Sequence, residues 1–335
     1  MASSSSTSST VVGTAIPAPR IIDRLPPIGT LGPLVTLAVA CAFFAWQTSR
    51  FLAGQNFSLI LQQVMVVGVV AIGQTLVILT AGIDLSCGML MALGSIVMTK
   101  FATDLGLDPY LAIGCGLLSS TAFGYLNGAL ITFVKLPPFI VTLGTLNIAF
   151  AVTQIYSQSQ TVSDLPDPLL FFGRTFRVGE TEVTYGTVLM LALYAVGWFV
   201  LRETAVGRHV YALGNNAEAT RLMGIPTQRM LRGIYTVAGL LYGIAGLLIV
   251  ARTGVGDPQA GQTDNLDSIT AVVLGGTSLF GGRGAILGTL VGALIVGVFR
   301  NGLTLMGVAS VYQILITGIL VILAVATDQL SRRRG

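Results

Sequence analysis

Charged side chains are scarce in this sequence: they make up 10% of its 335 residues, whereas hydrophobic residues make up 53%. Soluble domains average about 25% charged residues. Uncharged stretches recur at the length of a membrane-crossing helix, which needs about 20 apolar residues. The shortage of charge therefore excludes an ordinary soluble domain and predicts an all-α protein that crosses a membrane many times.

Lysine, histidine and cysteine are also scarce, and this limits the chemistry of the chain. The two lysines, Lys100 and Lys135, lie outside any G-x-x-x-x-G-K-[ST] motif, so we expect no ATP site of that type. One histidine and three cysteines, without metal-like or paired spacing, offer neither a metal site nor a disulfide framework. The sequence therefore predicts a protein that is not an enzyme and that binds no cofactor of its own.

The uncharged stretches predict about ten transmembrane helices, with boundaries good to a few residues. Several stretches exceed the length of one span, so each of these must include a turn or loop. The predicted helices are 32–49, 58–80, 87–102, 110–134, 138–157, 184–201, 232–251, 267–280, 285–300 and 309–327.

The distribution of positive charge predicts how these helices are oriented. An even number of spans places both termini on one side, and cytoplasmic loops carry an excess of lysine and arginine. With both termini inside, twelve of the 18 lysines and arginines lie inside and six lie outside. The net charge of +4 therefore indicates cytoplasmic N- and C-termini and is no sign of nucleic-acid binding.

A single transmembrane domain is predicted over residues 31–330, with polar segments at both ends. Residues 1–30 begin MASSSSTSST and are predicted to be a disordered cytosolic tail, because they lack the features of a secretory signal and of a packed core. Residues 331–335 are a basic cytosolic C-terminus. Two long loops are expected to have a function, one outside at about 158–183 and one inside at about 202–231.

A glycine pattern occurs twice and predicts an internal repeat. AGIDLSCGMLMALGS at 81–95 aligns with GGTSLFGGRGAILGT at 275–289, and a second correspondence pairs Asn127 with Asn301. Both glycine-rich turns are predicted to face the cytoplasm, so the repeats are parallel. Glycines in spans either allow close helix packing or break a helix where backbone lines a cavity. On the second interpretation, the broken-helix glycines are Gly82, Gly88, Gly276 and Gly282.

Asp84, in GIDLS, is the one acidic residue between two long apolar stretches of the first repeat. A carboxylate is costly in lipid and therefore faces protein or water. Two roles are open for it: its side chain caps the start of the third helix by accepting backbone N–H bonds, or it relays protons. We favour capping.

The segment GNNAEATRLMGI at 214–225 has the pattern of a complete short helix in the predicted cytosolic loop. Asn215 is predicted as its N-cap, with Glu218 in the capping-box position three residues later. Gly224 suits the left-handed turn after a helix, and Pro226 prevents continuation. A small apolar face at helical spacing consists of Ala219, Leu222 and Met223.

A helix of about eight residues is unstable alone in water, so this one is expected to dock into something. Its apolar face is thin and lacks aromatic residues, which favours the groove of a partner protein over the membrane surface. The predicted docking residues are Gly214, Asn215, Glu218, Ala219, Leu222, Met223, Gly224 and Ile225.

The same segment matches the E-A-A-x-x-x-G loop of ABC importer permeases as Glu218-Ala219-Thr220 followed by Gly224, with threonine in place of the second alanine. The longer stretches TAVGRHVYALGNNAEATRLMGI and DSITAVVLGGTSLFGGRGAILGTLVGALIVGVFRNGL resemble the ribose-type sugar permease family. AGIDLS, NGALIT and LPPFIVTLGTL extend the resemblance into the first half. The resemblance covers about residues 30–330, and within the family the fructose, ribose and mannose permeases are the most similar.

The resemblance implies the permease subunit of an ATP-driven importer in the bacterial inner membrane. It implies a homodimer of permease chains in membrane lipid, cytosolic ABC ATP-binding subunits that use ATP-Mg, and a periplasmic binding protein that delivers a monosaccharide. Residues 214–225 would then be the coupling helix, which transmits nucleotide-driven closure to the spans.

A neutral sugar requires amide and hydroxyl partners on its path, although each such side chain can equally bond a neighbouring helix. Besides Gln154, the candidates for the translocation path are Gln74, Asp84, Asn127, Asn147 and Gln313. One stretch departs from the family pattern: many relatives have an aromatic-acidic pair before LD, where this chain has TDNLDSIT at 263–270. That loop is predicted to face outside, so the departure bears on contact with cargo or binding protein.

Two alternatives stay open at this point. The first is an ABC permease for another small polar solute, such as inositol, an autoinducer-like furanosyl compound or a nucleoside. The second is an ion-coupled secondary transporter that uses Asp84. Such carriers embed charged groups in the membrane, and the near absence of charge from the predicted spans argues against this alternative.

Overall fold

Helices make up most of the structure, a computed structural model that describes residues 28–319 and residue 322. The predicted N-terminal tail up to residue 27, the end of the last predicted span and the basic C-terminus lie outside the described residues. The helices are α1 Ile28–Gln47, α2 Gly54–Leu79, α3 Cys87–Thr103, α4 Pro109–Ala129, α5 Pro138–Ser157, α6 Asp167–Leu170, α7 Tyr185–Glu203, α8 Ala205–Asn215, α9 Ala217–Leu222, α10 Thr227–Thr253, α11 Asp264–Leu274, α12 Ile286–Leu305 and α13 Ser310–Ile319.

Six of the described helices are long and apolar enough to cross a membrane: α2, α4 with its π-helical extension Leu130–Val134, α5, α7, α10 and α12. α3, α13 and the Gly32–Gln47 part of α1 are apolar over shorter lengths. The prediction of a helical, many-span chain is confirmed in this form. The segment predicted as the external loop adds two short antiparallel strands, β1 Thr175–Val178 and β2 Thr181–Thr184, in which Phe176 pairs with Val183.

The centre of the bundle is formed by α2 and α10, which are surrounded by α3, α4, α11 and α12. Small residues let these helices approach closely, as expected where lipid offers no hydrophobic driving force between spans. Gly239 of α10 lies against Gly124 of α4, and Gly73 of α2 lies against the ring of Tyr242. The largest fully buried side chains include Tyr194, Tyr235 and Tyr242.

The peripheral helices α4, α5 and α7 expose rows of large apolar side chains. Soluble monomers rarely show apolar surface of this extent, which is typical of contact with lipid or another subunit. The exposed residues include Leu118, Tyr125, Ile148, Ile155, Leu191 and Phe199.

Several helix boundaries differ from those predicted. α10 begins at Thr227 and not at 232, because its first turns continue through charged residues beyond the apolar stretch. α11 ends at Leu274 and not at 280, and Gly276, with φ of 86°, follows in the turn. Residues 28–30, predicted to be disordered, belong to α1. α8, a separate helix before α9, was not predicted.

Candidate functional site

The predicted docking segment folds as two helices joined at a sharp bend. Asn215 is the last residue of α8, and Asn216 is the N-cap of α9: its Oδ1 accepts the Ala219 amide at 2.9 Å. The prediction of Asn215 as N-cap is therefore wrong by one residue. The extended backbone of Asn216, with φ of −158°, aims its side chain at the free amides of the helix. α9 has six residues and not about eight.

The end of α9 follows the prediction for Gly224, which has φ of 83°. The Gly224 amide donates to the Arg221 carbonyl at 3.0 Å, and the Ile225 amide donates to the Thr220 carbonyl at 3.4 Å. This pair of bonds is a Schellman motif, in which glycine takes the left-handed position without a Cβ penalty. The helix is thus held at both ends by local hydrogen bonds.

Glu218 does not complete the predicted capping box. Its carboxylate instead binds the Arg221 guanidinium, with Oε1 at 2.6 Å from Nη2 and Oε2 at 3.1 Å from Nε. Hydrogen bonding and the charge of Arg221 lower the pKa of Glu218, and the same interaction raises the pKa of Arg221. Both side chains are exposed, so the pair contributes little to stability. It keeps two opposite charges on the surface of α9.

The predicted apolar face of α9 is exposed in the structure. Leu222 is 74% exposed and Met223 67% exposed, and Ala219 is exposed as well, whereas Thr220 is buried toward the bundle. We call Ala219, Leu222 and Met223 the α9 surface. An exposed apolar tip on a capped helix has the character of a docking element.

The root of this segment, at the end of α8, lies directly against both glycine-rich turns. A Cβ at Gly214 would lie 1.7 Å from the Leu79 carbonyl oxygen and 2.6 Å from the Gly282 nitrogen, so only glycine fits there. The Gly282 amide donates to the Leu79 carbonyl at 2.9 Å, which joins the turn after α11 to the end of α2. We call Leu79, Gly214 and Gly282 the glycine-turn junction. Through it, the end of α8 contacts the end of α2 and the turn after α11.

The four predicted broken-helix glycines occupy different positions around these turns. Gly82 follows α2 and donates its amide to the Val77 carbonyl at 3.1 Å, while Gly276 and Gly282 lie in the turn after α11. Gly88 lies in the first turn of α3, against Gly261. Each repeat therefore consists of a helix, a glycine turn and a second helix, with a longer turn in the second copy.

Three of the six candidates for the translocation path meet in one buried network around the first turn. The Gln74 side-chain amide donates to the Asp84 carbonyl, and the Asn127 amide donates to Ser86 Oγ at 3.0 Å. Thr145 Oγ1 donates to Asn127 Oδ1 at 2.7 Å. Gln74, Asp84, Ser86 and Asn127 are fully buried. The contacts of these side chains hold the turn between α2 and α3 in place.

Asp84 does not occupy the N-cap position of α3, which belongs to Ser86. Its Oδ1 accepts the Ser86 amide at 2.9 Å and the Ser86 hydroxyl at 2.5 Å. The carboxylate accepts a backbone N–H, as predicted, but from the residue before the helix and not from its first turn. Its role in the described structure is to close the turn.

The remaining candidates lie away from this network. Asn147 is exposed on α5 and donates to the Leu143 carbonyl of its own helix at 2.9 Å. Gln313, on α13, donates to Thr304 Oγ1 at 3.2 Å and to the Val308 carbonyl at 2.9 Å.

The connection between α10 and α11 turns back into the bundle, which the sequence did not predict. Gly256 lies against Thr99 near the end of α3, and Gly261 lies against Gly88 at its beginning. These two points are eleven residues apart along α3, so the connection descends about 16 Å. α11 therefore begins deep inside the bundle, at Asp264.

A polar cavity of about 370 Å³ opens beside this connection, between α2, α10, α11 and α12. Apolar side chains of α2, α10 and α12 form one wall. We call this space the polar cavity; its polar lining includes Gln63, Arg252, Thr253, Asp257, Gln259, Gln262, Thr263, Asp264 and Arg300. None of these residues was among the predicted path candidates.

Arg300 lines the polar cavity and also a second, adjoining space of about 330 Å³, which Gln313 and Phe299 line as well. Its Nη1 lies 2.9 Å from Asp267 Oδ2 and 3.8 Å from Asp264 Oδ1. Asp267 is buried and Asp264 largely so, and an arginine partner is what such carboxylates require. The predicted near absence of charge from the spans therefore does not extend to α11 and α12, which carry Asp267 and Arg300. The stretch TDNLDSIT, which departs from the family pattern, contains both carboxylates. It was the feature of the sequence from which these buried charges could have been predicted.

The segment predicted as the external loop is ordered by short elements. Phe171 stacks on Tyr185 with ring centroids 5.1 Å apart, next to the hairpin of β1 and β2. Val162 and Gly256 form an isolated bridge with amide-to-carbonyl distances of 2.8 and 2.9 Å. This segment is thereby joined to the connection that lines the polar cavity.

Comparison with known proteins gives one matching family model and several long relatives. Residues 56–325 match the model described as "Branched-chain amino acid transport system / permease component". The chain is 48% identical to the fructose import permease protein FrcC of Rhizobium meliloti, over 90% of this chain and 85% of the relative. It is 40% identical to the ribose import permease protein RbsC of Bacillus subtilis (strain 168), over 89% and 92%. It is 35% identical to the D-allose transport system permease protein AlsC of Escherichia coli (strain K12), over 89% and 91%.

Proposed function

Because the chain belongs to the family described as "Branched-chain amino acid transport system / permease component", we propose that it is the membrane-spanning permease subunit of an ATP-driven sugar importer. The relatives named above are permeases for fructose, ribose and D-allose, which supports a monosaccharide as the cargo. The structural observation that carries the proposal is the exposed α9 surface, whose root lies against both glycine turns. The protein resides in the bacterial inner membrane.

The proposed topology has ten membrane-inserted helices: α1 to α5, α7 and α10 to α13. Both termini then lie in the cytoplasm together with α8 and α9, and the β1–β2 hairpin lies outside. The twelve-to-six distribution of the 18 basic residues supports this orientation. α11, with 11 residues, enters the bundle without crossing a membrane by itself.

The proposed partners are a second copy of this chain, two cytosolic ABC ATP-binding subunits and a periplasmic sugar-binding protein. ATP-Mg is bound and hydrolysed by the ATP-binding subunits, since the sequence contains no G-x-x-x-x-G-K-[ST] motif. The α9 surface docks into a groove of an ATP-binding subunit. When those subunits close on ATP, α9 moves with them, and the glycine-turn junction transmits the movement to α2 and to the turn before α12.

The importer is favoured over an ion-coupled carrier by the surroundings of Asp84. Asp84 Oδ1 accepts two hydrogen bonds that close a turn, which gives this carboxylate a structural role. The choice between a monosaccharide and another small polar solute rests on the names of the relatives.

A pull-down tests the proposal. The tagged chain is purified in mild detergent from its native membranes, and co-purifying proteins are identified by mass spectrometry. We expect an ATPase with Walker motifs, and we expect its loss when residues 217–223 are scrambled. Scrambling the exposed residues 175–178 of β1 is the matched control and leaves the ATPase bound. A clean oligomer of this chain without ATPase, across several detergents, would contradict the proposal.

A further inference from the structure

We infer that the polar cavity is the site where this permease holds its sugar during translocation. The inference rests on the proposed function and adds to it the residues that contact the cargo. The site lies within one chain, between α2, α10, α11 and α12, and not in the buried network around Asp84. Four observations carry it: the lining chemistry, an unpartnered amide, the size of the cavity and the depth of α11.

The lining of the polar cavity suits a neutral, polyhydroxylated molecule. Side-chain amides such as Gln63 and Gln259 both donate and accept hydrogen bonds, as each sugar hydroxyl does. The charged residues balance, with Arg252 and Arg300 against Asp257 and Asp264. Arg300 is paired with two carboxylates, so its charge is balanced by residues of the chain itself. The cavity thus offers many hydrogen bonds and little net charge.

Gln63 has an unused hydrogen-bonding group at this site. Its Oε1 is buried and has no hydrogen-bond partner among the described residues. Buried polar atoms are rarely left unpaired, because the loss of water is then not offset by another bond. A hydroxyl of a bound molecule satisfies this oxygen, and Gln63 lines both the polar cavity and the adjoining space.

The size of the cavity fits a small cargo. A volume of about 370 Å³ lies in the lower part of the range for small-molecule sites. An apolar wall for the C–H face of a sugar ring is provided by Val64, Val67 and Ile249. Amides and hydroxyls beside an apolar wall are the usual composition of a site that binds and orients a small ligand.

The position of α11 places the inner end of the cavity between helices of the bundle, whereas exposed residues such as Arg252 and Gln262 lie at its opening. The α10–α11 connection descends to the level of Gly88, and irregular backbone at such depth is tolerated only where protein or water surrounds it. Interrupted helices that border a site near mid-membrane are a recurring feature of transporters. Here the interruption, the polar lining and the unpartnered Gln63 coincide.

The first test compares two neighbouring glutamines of α2. Gln63→Leu removes the unpartnered amide, whereas Gln62→Leu makes the same change at a residue that lines neither cavity. In proteoliposomes with the ATP-binding subunits and saturating binding protein, we expect Gln63→Leu to lower the maximal D-fructose uptake rate about tenfold. ATP hydrolysis and assembly stay unchanged, and Gln62→Leu transports like the parent protein. Equal uptake by the two variants would overturn the inference.

The second test detects occupancy without transport. Gln63→Cys and Gln62→Cys are treated with a small thiol reagent in the assembled complex, and labelling of the parent protein is subtracted. We expect D-fructose at high concentration to protect residue 63 and not residue 62, whereas sucrose at the same concentration protects neither. Equal labelling of residue 63 with and without D-fructose and D-ribose would rule out this cavity as the site.

The two proposals fail in different ways. If the parent protein and the Gln62→Leu control both show no ATP-dependent uptake of D-fructose or D-ribose, the proposed function fails. If that control transports normally while Gln63→Leu and Gln63→Cys behave like their Gln62 counterparts, only the cavity inference fails.

Discussion

At the scale of single residues, Gly214 has the tightest surroundings of the coupling segment. It lies at the end of α8, where the Leu79 carbonyl and the Gly282 amide leave no space for a side chain. Its sequence neighbours gave no hint of this, because both contacts come from residues distant in the chain. Local patterns predicted the left-handed Gly224 correctly, since that position depends only on its own helix end.

The first residue-scale prediction concerns Gly214→Ala. The added Cβ would overlap the Leu79 carbonyl, so α8 must move away from the glycine turns, at a cost of about 1–3 kcal/mol. We expect a lower melting temperature in detergent and a loss of ATP-driven uptake. Gly233→Ala is the matched control, because nothing lies within 4 Å of a Cβ at Gly233 in α10. Parent-like stability and transport in Gly214→Ala would show that the junction is not needed.

At the scale of elements, α9 owes its stability to its caps and leaves its apolar residues for a partner. The sequence showed that a short helix lay here and where it ended, but it placed the N-cap one residue early. Either asparagine could have capped the helix by sequence. Asn216 is the N-cap because α8 continues through Asn215. The position of α8 is set by tertiary contacts of its end with Leu79 and Gly282.

The element-scale prediction is that Leu222→Asp uncouples ATP hydrolysis from transport. A carboxylate buried without a partner in a docking groove costs more than the roughly 1.4 kcal/mol that corresponds to a tenfold effect. Uptake should therefore fall at least about tenfold, while the melting temperature barely changes because Leu222 is exposed. Leu105→Asp, at another exposed leucine in the α3–α4 turn, is the control. Full transport by Leu222→Asp would exclude α9 as the coupling element.

The long apolar helices were the most predictable elements, and the shortest ones the least. α2, α4, α5, α7 and α12 lie close to their predicted positions, because each carries a continuous apolar stretch of spanning length. α11 was predicted too long, since its apolar pattern runs on into the glycine turn. The descent of residues 254–263 could not be predicted, because it depends on contacts with α3 that no local pattern reveals.

At the scale of the whole molecule, the proposed topology makes opposite predictions for two exposed positions. Arg177→Cys, on β1, should react with an impermeant thiol reagent added outside intact cells, because the hairpin is placed there. Gln228→Cys, at the start of α10, should react only after the membrane is opened. Labelling of the parent protein, which has three cysteines, provides the background. The reverse pattern would invert the topology and place α9 outside, where no ATP-binding subunit could reach it.

Of the two parts of the candidate site, the α9 segment was predictable from the sequence and the polar cavity was not. The α9 segment has capping residues and helix-breaking residues within a polar stretch, so the sequence predicted it. The polar cavity is assembled from residues of α2, α10, α11 and α12 that are far apart in sequence. The positive-inside rule gave no sign of its arginines, because that rule counts charges without knowing which helices enclose them.

The bridge between Val162 and Gly256 joins the segment placed outside in the proposed topology to the α10–α11 connection in the interior. Two backbone hydrogen bonds hold this segment against the α10–α11 connection, which descends to Gly261. In the proposed topology, we expect a binding protein that displaces this segment also to shift a wall of the polar cavity. The backbone bridge would thus link docking of a binding protein directly to the shape of the polar cavity.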